Sequence, residues 1–128
     1  MSTGIIVFAH GSRIESANEA VRSVAAELAR LGSLDAVEAA FLELGRPDLE
    51  GAVELLAARG ARRILVLPYF LTPGTHLERD LPRIVADISH KNSDLEIAVS
   101  APLDGHPALV EILLDRVRSL AGGSPGGG

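Results

Sequence analysis

The sequence predicts an α/β fold, a three-layer sandwich in which a four-stranded parallel sheet is flanked by helices. Four short apolar runs alternate with four longer segments whose apolar residues recur at helical spacing. Such alternation is the pattern of strand–helix–strand units, which build parallel sheets with right-handed crossovers. Hydrophobic residues make up 47% of the chain but aromatic residues only 3%, so the core must be built from Ala, Val, Leu and Ile. Small aliphatics of this kind suit helices packed on a sheet buried on both faces. The 128 residues amount to one domain, expected over 1–121.

Ile5–Ala9 reads as the first strand, ending at His10-Gly11-Ser12. Val21, Val24, Ala25, Leu28 and Leu31 then form a helical stripe, with Gly32 as its expected C-terminal cap. Val37–Leu42 is a weaker strand, suited to a sheet edge. Pro47 fits the first turn of the next helix, with Asp48 and Glu50 at the positive end of its dipole. Leu49, Ala52, Val53 and Leu56 give that helix its apolar face, and Gly60 ends it.

Ile64–Pro68 is the strongest strand, and it feeds the loop Tyr69–His76. Leu81, Ile84, Val85 and Ile88 mark the third helix. A capping box of Thr75 with Glu78 would start it early, but Pro82 would then lie inside the helix at a cost of about 3 kcal/mol. Asp80 is therefore expected as the main cap, leaving His76 on an irregular turn. Leu95–Val99 is the fourth strand. Leu109, Ile112, Leu113, Val117 and Leu120 are expected to be the buried stripe of the last helix. The glycine-rich end, 122–128, has the composition of a disordered tail.

The formal net charge of −5 argues against a nucleic-acid partner. Zero cysteines remove disulfides, thiolate metal sites and cysteine nucleophiles together. No apolar run is long enough to span a bilayer, and the start has no signal-peptide layout, so a soluble cytoplasmic protein with no membrane partner is expected.

Ligands of parallel α/β sheets bind beyond the carboxyl ends of the strands. His10, Glu43 and His76 each follow a strand at that edge. Two imidazoles and a carboxylate, without thiolate, suit a borderline divalent ion that is held and then released. His10 and His76 are the expected metal ligands, and Glu43 is a third ligand or a base. Thr72, Gly74 and Thr75 offer backbone and hydroxyl donors, while Arg13, Arg46, Arg79 and Arg83 lie nearby in sequence and suit carboxylates. Leu42, Leu44, Phe70 and Leu71 are available as an apolar floor.

The segments Phe8–Ser12, Phe41–Leu44 with Pro47, Pro68–Leu71, Pro73–His76 and Asp80–Pro82, together with Pro102-Leu103 and Gly105–Pro107, resemble the CbiX/SirB sirohydrochlorin chelatases. The resemblance covers roughly residues 4 to 120. It implies ATP-independent insertion of cobalt or iron, with nickel as a further candidate, into sirohydrochlorin, with the metal as substrate and no organic cofactor. It implies catalytic roles at His10, Glu43 and His76, and Arg13, Arg46, Thr72, Gly74, Thr75 and Arg79 as macrocycle contacts. The length matches the family's short form, for which a homodimer completes the cleft.

Plainer readings exist for each residue. His10 could be a core histidine bonded to a carbonyl, His76 a solvated turn residue, and Glu43 a surface or capping carboxylate. His106 reads as a starter of the last helix, His90 as solvated, and each Arg alone as surface charge. Ser12 lacks a nucleophile-elbow setting. A histidine phosphatase would want Arg where Ala9 stands. A non-catalytic metal or tetrapyrrole carrier is the alternative that uses the same two histidines.

Overall fold

A computed structural model describes residues 2–122, so of the glycine-rich tail expected over 122–128 only Gly122 falls among the described residues. The elements run β1 (Thr3–Ala9), α1 (Glu15–Gly32), β2 (Val37–Phe41), α2 (Leu49–Ala58), β3 (Arg63–Pro68), α3 (Thr75–Lys91), β4 (Glu96–Val99) and α4 (Pro107–Ala121). All strand pairs are parallel, in the order β2-β1-β3-β4. The weak strand β2 is indeed an edge.

Alternation along β1 divides the core. Ile6 and Phe8 face α2 and α3, joining Ala52, Val53, Leu56, Ile64, Val66, Leu81 and Ile88. Val7 and Ala9 face α1, joining Ala25, Ala39 and Phe41. The sheet is therefore covered on both faces around β1, as its continuous apolar run requires. The chain leaves β1 toward β2 and leaves β3 toward β4, so the strand order reverses between β1 and β3. That reversal opens a crevice at their carboxyl ends, where ligands of this architecture bind.

Each of the four helices corrects a sequence expectation. Gly32 is the last residue of α1, and Ser33 takes the left-handed cap conformation at φ 52°, its N–H bonded to Ala29 and Arg30 carbonyls. Leu31 is exposed, because α1 overruns the cluster that ends at Leu28. Pro47 precedes α2 behind a cis peptide bond, and Asp48 is the cap, accepting from Gly51 N at 2.8 Å. The helix α3 starts at Thr75, with Gly74 at its cap position and Pro82 inside it. Leu77, Leu81 and Ile88 are buried along that helix. Each such side chain contributes about 1.5–3 kcal/mol, which outweighs the cost of about 3 kcal/mol for one interior proline on an exposed face.

The fourth correction is α4. None of its residues is buried, and among the described residues no element packs closely along it. Val110, Ile112, Leu113, Val117 and Leu120, expected in part as core, are between 51% and 87% exposed. His106 does start this helix, its Nδ1 accepting from Ala108 N at 3.0 Å.

Candidate functional site

The site is built where β1, β2 and β3 end. Beyond the strands, Leu42 N donates to Ala9 O at 2.9 Å and Glu43 N to His10 O at 3.1 Å, so the β1 and β2 loops run on as a short ladder. On the other side Tyr69 N donates to Phe8 O at 2.7 Å. Gly11, at φ 92°, permits the first approach: a Cβ there would stand 1.7 Å from Glu43 O. Only glycine satisfies both the positive φ and that contact.

These constraints carry His10 to the mouth of the crevice. Its ring lies 5.0 Å from that of Phe70, inclined at 42°. His76 arrives on the first turn of α3. The two histidines line one cavity of about 290 Å³, with Gly74, Thr75, Leu42 and Asp80 around them. Both imidazoles are solvent-exposed, and neither side chain is hydrogen-bonded to another described residue. His10 is thus not a core histidine satisfied by a carbonyl. Two imidazoles with free nitrogens on an open cavity can hold a divalent ion and leave coordination positions for another ligand. Among the described residues no cluster of three or more His, Cys, Asp or Glu has metal-binding geometry.

Glu43 is tied to His10 through the backbone, but its exposed carboxylate does not line the cavity. Of the expected macrocycle contacts, Gly74 and Thr75 meet the histidines; Thr72, Arg13 and Arg79 are exposed outside that lining. Arg46 lies in a separate open cleft beside Glu15 and Arg22. Arg83 points toward Asp80, 4.0 Å away. Leu44 and Leu71, expected as floor, are 51% and 58% exposed at this end of the sheet, whereas Leu42 and Phe70 are half-buried.

Two residues escaped sequence reasoning. Asp80, expected as a helix cap, instead faces the histidine cavity from the second turn of α3. Placing the helix start at Thr75 would have revealed it, since residues 76 and 80 share a helix face. Asn18 is the one buried polar side chain among the described residues, 1% exposed, and no sequence motif drew attention to it. Nearby, Glu15 is held below the usual carboxylate range by its hydrogen bond from Arg22, 2.7 Å away. Arg22 is raised by the same pairing and lies 5.2 Å over the Phe41 ring.

Known proteins resemble this chain in sequence and in fold. The chain is 33% identical over 115 residues to the chloroplastic sirohydrochlorin ferrochelatase of Arabidopsis thaliana, covering 90% of this chain and 51% of that protein. It is 28% identical to the sirohydrochlorin cobaltochelatase of Methanopyrus kandleri, covering 92% and 96%. Its fold superposes, with a TM-score of 0.85 and 26% identity, on the sirohydrochlorin chelatase SirB of Bacillus subtilis subspecies spizizenii in complex with cobalt, covering 94% of this chain and 52% of that one. The chain thus spans about half the length of two of these proteins and nearly all of the third. The CbiX family model matches residues 4–120. A match running from the second residue of β1 to the last turn of α4 places this protein in the CbiX family.

Proposed function

We propose that this protein inserts a divalent metal, cobalt or iron with nickel as a third candidate, into sirohydrochlorin without ATP. The observation that carries the reading is the shared cavity of His10 and His76, two unbonded imidazoles at the crevice between β1 and β3. The relatives' names as cobaltochelatase and ferrochelatase support it and favour catalysis over a passive carrier.

The chemistry exchanges two pyrrole protons for one divalent ion. His10 and His76 hold the ion as neutral imidazoles, with positions left open for macrocycle nitrogens. His76 stands on the first turn of α3, at the mouth of the cavity it shares with His10. Glu43, one residue beyond the cavity wall at Leu42, takes protons as they leave. Asp80 is a second carboxylate within reach of the same space. Gly74 and Thr75 offer donors to the peripheral carboxylates, and Arg13, Arg46, Thr72 and Arg79 serve the same groups at the rim.

A tetrapyrrole is larger than a cavity of about 290 Å³ and must lie across the open edge. A second copy of the chain would cover it. The 15-residue helix α4 supports a homodimer, since a helix of that length is marginal in water without a partner. A second apolar surface favours the same reading: Leu77, Leu81, Val85, Val99 and Pro102 line a cavity of about 470 Å³ beside β4. The absence of cysteine is compatible with a reducing compartment such as the cytoplasm. No helix of the described residues is long and apolar enough to cross a membrane.

The test is anaerobic spectroscopy of sirohydrochlorin with Co²⁺, Fe²⁺ or Ni²⁺, with His10→Ala and His76→Ala alongside. Many turnovers per protein, lost in both variants, are expected. A change that stops at one equivalent would favour the carrier. No acceleration over the protein-free control would overturn the reading.

A further inference from the structure

Asn18 stands at the end of the first turn of α1, behind the site. It is 1% exposed. Its Oδ1 accepts from Ser12 N at 2.9 Å, and its Nδ2 donates to Ser12 O at 2.9 Å and Leu44 O at 2.8 Å. One amide therefore satisfies both backbone groups of Ser12 and the carbonyl of Leu44. Ser12 is two residues from His10, and Leu44 is one residue from Glu43. No other described side chain bonds to both loops.

The loop it grips is not self-supporting. Leu44 has φ 58°, a left-handed conformation that costs a branched residue about 1–2 kcal/mol. Its carbonyl is turned inward to Asn18, which offsets that cost. Gly45 leaves room for the amide: a Cβ there would stand 3.2 Å from Asn18 Nδ2. By contrast His10 follows directly on β1, whose ladder fixes it on both sides. The same ladder reaches Glu43, whose N donates to His10 O, so it is Leu44, the residue that follows Glu43, that depends on Asn18.

We propose that Asn18 is a positioning residue that holds the Glu43–Leu44 loop against the His10 loop and so sets where the Glu43 carboxylate stands relative to the metal-holding imidazoles. The proposal rests on the chelatase reading above. It requires an amide, because only an amide gives one acceptor and two donors in this geometry. Asp in its place keeps the acceptor but turns an anion toward two carbonyls. Burial and Glu15, whose Oε2 lies 3.5 Å from Nδ2, both push that carboxyl up, and Arg22 paired with Glu15 opposes only part of the effect. Once protonated, it can donate to one carbonyl again.

The experiment compares wild type, Asn18→Asp and Asn18→Leu in Co²⁺ insertion into sirohydrochlorin, with Co²⁺ binding measured separately without macrocycle. Asn18→Leu is at risk of misfolding, so Asn18→Asp carries the test. The expected result for Asn18→Asp at about pH 8 is a kcat about tenfold to a hundredfold lower, the loss typical of a group displaced by about 1 Å. Its Co²⁺ affinity should be unchanged. The ratio of variant to wild-type kcat should climb toward one as the pH falls to about 6, where the buried carboxyl is neutral. Equal kcat at all pH values would overturn the proposal, as would a pH-independent loss accompanied by an equal loss of Co²⁺ affinity. Wild type that binds Co²⁺ but never metallates the macrocycle would instead overturn the chelatase reading and this proposal with it.

Discussion

The Phe70 ring stands 5.0 Å from the His10 ring on one side and lines the apolar cavity beside α3 and β4 on the other. One aromatic side chain therefore packs against the His10 imidazole and forms part of the wall of the neighbouring groove. A tilted ring pair of this kind contributes about 0.5–1.5 kcal/mol beyond its buried area. Because 1.4 kcal/mol is a factor of ten, Phe70→Ala should weaken Co²⁺ binding by about three- to tenfold. Phe70→Tyr should leave it nearly intact. A cobalt titration followed by absorption measures both.

Gly11 and Gly60 separate two costs that one substitution usually mixes. Both have positive φ, 92° and 97°. A Cβ on Gly60 meets nothing within 4 Å, whereas one on Gly11 meets Glu43 O at 1.7 Å. Gly60→Ala should cost only the conformational penalty, about 1 kcal/mol. Gly11→Ala adds a backbone clash and should cost about 3 kcal/mol or more, with loss of metal insertion as the Glu43 loop is displaced. Thermal denaturation of the two variants, side by side, reads the difference.

The contrast between these glycines shows what the sequence conveyed and what it did not. Ile5–Ala9 was legible because a strand buried on both faces must be apolar throughout; Ile64–Pro68 was legible from the same kind of apolar run, although only its alternate residues are fully buried; and their ends located His10 and the loop to His76. The start of α3 was misread because local rules weigh Pro82 heavily, while the buried stripe from Leu77 to Ile88 outweighs it. That error hid Asp80, whose side chain reaches the cavity only if the helix already runs at His76. Asn18 was invisible for a different reason: its partners are backbone atoms of Ser12 and Leu44, and Leu44 is 26 residues away. The arginines were placed by nearness in sequence alone, which does not fix the direction of a long side chain.

Glu15 gives the fold a measurable dependence on acid. Its hydrogen bond from Arg22 lowers its folded pKa below the unfolded value of 4.5. Stability from the pair is therefore complete above that unfolded value and is lost as the pH falls through the lower folded one. Glu15→Gln should be less stable than wild type near neutral pH, and the gap should close as the pH falls through the lowered folded value. Both groups are exposed, so the gap should be small and should shrink further in high salt. Denaturant midpoints across the pH range test this.

The helix α4 makes the strongest prediction about assembly. Its apolar residues are not core among the described residues, since none of them is buried. Burying a Leu or Val side chain contributes about 1.5–3 kcal/mol, so a stripe through Val110, Leu113 and Val117 is enough to drive association of two copies. Wild type should sediment at twice the 13.4 kDa chain mass. Leu113→Glu with Val117→Glu should sediment as a monomer with the strands and α1–α3 intact. If the second copy completes the cleft over His10 and His76, the monomeric variant should still bind Co²⁺ but turn over at least about tenfold more slowly, since placement of the macrocycle is what it lacks. Its rate per chain should also rise with protein concentration, because mass action restores the dimer. A monomeric wild type with full activity would instead show that α4 serves another partner and that one copy is sufficient for the reaction.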